Sequence, residues 1–78
     1  MKKVQIKLST IEDVRNFVNT LAQHSVDFDL ISGRYTVDAK SLMGIFSLDL
    51  LKPLDFVIHS DDDAAVDSIL GDVKSWIV

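Results

Sequence analysis

Ser41 stands between Lys40 and a compact apolar run, Leu42, Met43, Ile45, Phe46 and Leu48, in the stretch VDAKSLMGIFSLDL. A serine in that place has two chemistries. Its oxygen can accept a hydrogen bond from an early helix amide, a cap worth about 1 kcal/mol. Its hydroxyl can also take a phosphoryl group, which a helix start tolerates because free amides and the positive end of the helix dipole face it. The two roles are compatible, and Lys40 adds a local positive charge. The other candidates are His24 and His59, the acids Glu12 and Asp13, and the run Asp61, Asp62, Asp63. That run lacks the ligand spacing and distal glutamate of a calcium loop, and suits a helix start. There is no glycine-rich phosphate loop, no zinc-protease motif and no cysteine, hence no thiol nucleophile or thiolate metal site. The expectation is a chain with no catalytic residue, no metal and no cofactor.

The elements that position these side chains follow from periodicity. Val4, Ile6 and Leu8 alternate in a strand over residues 4–8. Ser9 followed by Glu12 has capping-box spacing, and Ile11, Val14, Phe17, Val18 and Leu21 mark a helix over about 10–23. Val26, Phe28 and Leu30 alternate, as do Tyr35, Val37 and Ala39, with a turn at Ser32, Gly33 and Arg34: a β-hairpin. Leu42, Ile45, Phe46 and Leu48 fit no period of two. They fit a helix of about two turns beginning at Ser41. Pro53 breaks the chain before the strand Leu54, Phe56, Ile58. Ser60 and Asp63 repeat the capping spacing ahead of a last helix marked by Val66, Ile69, Leu70, Val73 and Ile77, with Trp76 packing its end. The order is βαββαβα. One buried and one solvated face per strand implies an antiparallel sheet. Both long helices carry one apolar stripe, so the expected fold is a two-layer α+β sandwich. Ile45 and Leu48 are expected in the core. Leu42, Met43 and Phe46 are hard to bury together on so short a helix, and are expected to leave an apolar patch for a partner.

With 78 residues, residues 1–78 are expected to form a single domain. Hydrophobic residues make up 47%, enough for one core. No signal-peptide or membrane-spanning apolar run appears, so a cytoplasmic location without membrane insertion is the expectation. The net charge of −4 and scattered basic residues exclude wrapping of a nucleic-acid backbone.

The segment AKSLMGIFSLDL resembles the centre of HPr proteins, the phosphocarriers of the bacterial sugar phosphotransferase system. The family pattern, close to Lys-Ser-Ile/Leu-Met-Gly-x-Met-Ser-Leu-Gly, matches Lys40, Ser41, Leu42, Met43, Gly44, Ser47 and Leu48 in register. The resemblance implies the HPr-like open-faced βαββαβα sandwich, a four-stranded antiparallel sheet with helices on one face. It implies that Ser41 is a regulatory phosphorylation site, with Lys40, Leu42, Met43 and Phe46 in the partner surface. The implied partners are an HPr kinase/phosphorylase, a transcription regulator of carbon catabolite control, or phosphotransferase-system enzymes. A second copy of the chain is another possible occupant.

Two departures stand out. The family's carrier histidine, in a Gly-x-His-x-Arg-Pro-Ala stretch opening the first helix, has no match in Leu8, Ser9, Thr10, Ile11, Glu12 and Asp13. The glycine that closes the central motif is Asp49 here. Serine and threonine esters lack the transfer potential of a phosphorylated imidazole. Glu12 and Asp13 could in principle form acyl phosphates, but read more simply as acids at a helix start. On the family fold, His24 and His59 fall at the wrong edge of the sheet. The implied function is a regulatory phosphoprotein or interaction module without carrier chemistry. The alternatives are a carrier with a non-standard acceptor, or an interaction domain that shares only the fold.

Overall fold

The computed structural model describes residues 1–78. Its elements are β1 Lys2–Ile6, α1 Ile11–Leu21, β2 Asp27–Ser32, β3 Tyr35–Asp38, α2 Leu42–Phe46, β4 Leu54–His59 and α3 Asp63–Asp72, then a 3-10 turn at Lys74–Trp76. The order is the expected βαββαβα. The four strands pair antiparallel as β1-β4-β2-β3.

Register explains why alternation was needed. Val4, Phe56, Leu30 and Val37 lie in one cross-strand row, and Ile58 sits beside Phe28. These side chains share the face that meets the helices. α1 adds Val14, Phe17 and Leu21, α2 adds Ile45, and α3 adds Val66 and Ile69 to the same buried cluster. The neighbouring row, Lys3, Val57, Asp29 and Asp38, lies on the opposite face, and Val57 stays outside the cluster. An α+β sandwich with one open sheet face results. The Phe17 ring meets the Phe56 ring edge-on at 5.2 Å and the Trp76 ring at 5.5 Å, and Phe56 stacks on Phe28 at 5.4 Å.

The hairpin between β2 and β3 closes through two residues, since Ser32 pairs with Tyr35. Gly33 has φ 60°, and no other residue has positive φ. Glycine first in a two-residue loop is the II′ solution that matches strand twist.

Several boundaries differ from the sequence expectation. β1 ends at Ile6; Leu8 is buried but lies beyond the strand, where the Lys7 N–H donates to the Trp76 carbonyl. The cap of α1 is Thr10, one residue later than the Ser9–Glu12 pattern. The Asp13 N–H donates to Thr10 Oγ1 at 2.9 Å, and the Ser9 N–H donates to Asp13 Oδ2 at 3.1 Å. Ile11 is thereby left exposed at the first turn. The cap of α3 is Asp62, whose side chain accepts from the Ala64 and Ala65 amides, while Ser60 Oγ accepts from the Asp62 N–H. The last helix stops at Asp72 rather than running to Ile77. Trp76 turns onto Phe17, and Ile77 bridges to Ile6 at the edge of β1.

Candidate functional site

Ser41 caps α2. Its backbone is extended, and its Oγ accepts from the Gly44 N–H at 3.2 Å. The link back to β3 is tight: the Ser41 N–H donates to the Asp38 carbonyl, and the Lys40 N–H to Asp38 Oδ1. Gly44 sits at a close approach. A Cβ there would lie 3.2 Å from Ser41 Oγ and 3.3 Å from Val37 Cβ. The small residue lets the cap and β3 crowd against the helix.

The helix divides its apolar residues as the short length dictates. Ile45 is fully buried and Leu48 nearly so. Leu42 is half-buried against the core. Met43 is 79% exposed and Phe46 40% exposed. Met43 and Phe46 are three apart, hence neighbours on the helix surface. The structure thus brings Ser41, Leu42, Met43 and Phe46 together on one short element.

Lys40 behaves differently from a free cation beside Ser41. Its Nζ donates to the His24 carbonyl at 2.7 Å and lies 5.4 Å from the centre of the Phe28 ring. The amine ties the turn that follows α1 to the approach to α2. Asp49 accepts from the Leu51 N–H at 3.0 Å. The helix end itself closes one step earlier, through Ser47 Oγ and the Gly44 carbonyl at 2.6 Å, so no positive φ is needed there.

The start of α1 carries acids and no imidazole. Asp13 is held below the ordinary aspartate value of 3.8 chiefly by the Ser9 N–H, with smaller help from the Trp76 side chain and Thr10. A depressed folded pKa stabilises the fold above the unfolded value, and that contribution is lost as pH falls through the folded value. Asp13→Asn should therefore flatten the acid limb of stability below about pH 4, read by urea unfolding across pH 2–7; an unchanged acid limb would show that the Ser9 bond contributes nothing.

Both histidines lie at the other end of the sheet. β1 runs toward α1, while His59 pairs with Asp27 and its neighbour Ile58 with Lys2. His59 Nε2 lies 2.7 Å from Asp29 Oδ2, and His24 Nε2 lies 2.8 Å from Asp72 Oδ2. No group of three or more His, Asp or Glu side chains is arranged to hold a metal ion. No helix is long and apolar enough to cross a membrane.

Two features escaped the sequence reading. Leu51 is 86% exposed, and its place ahead of Lys52 and Pro53 was the only signal. Arg15 and Asn19 of α1 line a groove of about 310 Å³ with Val18 and Leu42. Nothing in the helical pattern of α1 says that this flank meets α2.

No family model matches the chain, and no curated protein matches it. Solved structures do. An HPr-C-His protein from Thermoanaerobacter tengcongensis superposes with a TM-score of 0.75 at 25% identity, covering 96% of this chain and 93% of its own. A phosphocarrier protein HPr from Bacillus anthracis str. Ames superposes with a TM-score of 0.65, also at 25% identity, covering 91% of this chain and 92% of its own. The chain has the HPr-like fold along nearly its whole length.

Proposed function

We propose that this chain is an HPr-like regulatory phosphoprotein, related to the phosphotransferase system and carbon catabolite control, and not its phosphocarrier. The observation that carries this reading is one short helix that begins at a serine and exposes Met43 and Phe46, on a fold shared with HPr proteins. Ser41 takes a phosphoryl group from ATP through an HPr-type kinase. Met43 and Phe46, flanked by Leu42, then meet a protein partner such as a transcription regulator, in the cytoplasm. The chain acts as the modified protein and not as an enzyme. It needs no cofactor.

Carrier chemistry lacks its nucleophile. At the junction where the resemblance would put the family's histidine, the chain reads Leu8, Ser9, Thr10, Ile11, Glu12 and Asp13, and Asp13 is engaged with the Ser9 amide. His24 and His59 are paired with aspartates at the far end of the sheet. The competing reading, a carrier with a non-standard acceptor, rests on Glu12, which has no such partner.

The test is intact mass after incubation with HPr kinase/phosphorylase and ATP, beside incubation with enzyme I and phosphoenolpyruvate. One phosphoryl gain is expected in the first reaction and none in the second. Ser41→Ala removes both hydroxyl and cap, at about 1 kcal/mol. Ser41→Asn keeps a capping acceptor without a hydroxyl, so loss of the gain in both variants assigns it to Ser41. A gain from enzyme I would overturn the reading in favour of the carrier.

A further inference from the structure

Arg15 is the one arginine or lysine lining either of the two cavities of this molecule. It shares the groove between α1 and α2 with Val18, Asn19 and Leu42, and Leu42 is the residue bonded to Ser41. The molecule's ion pairs are Met1 with Asp61, His24 with Asp72 and His59 with Asp29. Arg15 is in none of them. Lys7 and Lys40, by contrast, donate to the carbonyls of Leu50 and His24.

We propose that Arg15 is the internal counter-ion of a phosphate on Ser41, so that phosphorylation draws the α1 side chain across the groove above Val18 and Leu42. This rests on Ser41 being the modified residue. A phosphoserine carries up to two negative charges and three acceptor oxygens. A guanidinium is the side chain whose planar fork matches them. The charged neighbours leave that role to Arg15. α2 contributes no acid in its first turn and no base in its last. β3 contributes Asp38, whose Oδ1 accepts from the Lys40 amide. On α1, Glu12 lies one turn before Arg15 and repels a phosphate. The amine of Lys40 is bonded to the His24 carbonyl. Phosphorylation then does more than add charge beside Met43 and Phe46. It converts an open groove with an unpaired cation into a closed one with net negative charge, and a partner that placed a carboxylate in the groove would be displaced.

The experiment uses the full chain with phosphoserine installed at position 41 during synthesis, so it does not depend on any kinase. The phosphorus-31 resonance is followed through its second ionisation. Removing a cation that favours the dianion raises the midpoint. Arg15→Gln should raise it by roughly 0.3–0.7 pH unit, the size of one partly exposed ion pair. Arg15→Lys should recover part of the shift, and Arg34→Gln, in the hairpin turn, should leave it unchanged. Equal midpoints in the parent and Arg15→Gln proteins would overturn the pairing. A rise of the same size in Arg34→Gln would also overturn it, showing a general charge effect. If the kinase of the preceding test leaves Ser41 unmodified while this shift is found, the regulatory reading fails and the pairing stands.

Discussion

Phe17→Ala is expected to remove about 3–5 kcal/mol of stability, the usual cost of truncating a buried aromatic ring to a methyl. Phe17 is fully buried on α1. Its ring contacts Phe56 on β4 and Trp76 in the C-terminal turn, both edge-on. One side chain therefore joins the helix layer, the sheet layer and the chain terminus. Truncation leaves a cavity walled by two other rings, which cannot close around it without shifting the sheet. A domain of this size has only a few kcal/mol to spare, so the variant should be largely unfolded at room temperature. Phe17→Leu keeps most of the volume and should cost under about 2 kcal/mol. Urea unfolding followed by far-ultraviolet circular dichroism measures both. Trp76 fluorescence is a local probe of the same contact and should change even in Phe17→Leu. A loss below 1 kcal/mol in Phe17→Ala, on the scale where such truncations cost several, would mean that the three-ring cluster does not hold the layers together.

The parts of this fold written locally were legible in the sequence. Val4, Ile6, Leu54, Phe56 and Ile58 alternate because each strand meets helices on one face only. Ser41 was readable as a cap because the donor it serves, the Gly44 amide, is three residues away. The cap of α1 was misplaced by one residue because Ser9 and Thr10 are both capping types, and Glu12 and Asp13 are both acids. The choice between them was made by the descent of Leu8 into the core, a tertiary event. The end of α3 was overrun for the same kind of reason. Val73 and Ile77 keep helical spacing, but the seats of Trp76 on Phe17 and of Ile77 beside Ile6 were invisible until the sheet order was known. Arg15 belongs to this class too. Its spacing on α1 says only that it lies off the buried stripe. That α2 passes there, and that no carboxylate meets the guanidinium, follow from how β3 delivers the chain to Ser41.

Met43→Glu is expected to weaken binding to a protein partner by about 30-fold or more while leaving the fold intact, as for a residue at the energetic centre of an interface. Met43 is 79% exposed, so its own contribution to folding is small. At an interface it would be removed from water beside Phe46, and a carboxylate buried there without a partner costs several times what a methyl group gains. Phe46 has the opposite balance. At 40% exposure it supports both the core and the patch, so Phe46→Ala should lower stability and affinity together. Leu42, half-buried against the core, should show mainly the stability loss when truncated. These three signatures separate a binding surface from a packing defect. The control is Tyr35→Glu, 73% exposed at the hairpin-turn end of β3, where it pairs with Ser32. Calorimetric titration of each variant with an HPr-type kinase reads the affinity, and sedimentation reads self-association through the same patch. If Met43→Glu and Tyr35→Glu bind the kinase equally well, α2 is not the contact surface. If both bind normally and only Met43→Glu abolishes a dimer, the occupant of the patch is a second copy of this chain, since charge on one face of an isologous contact is met by the same charge from its mate.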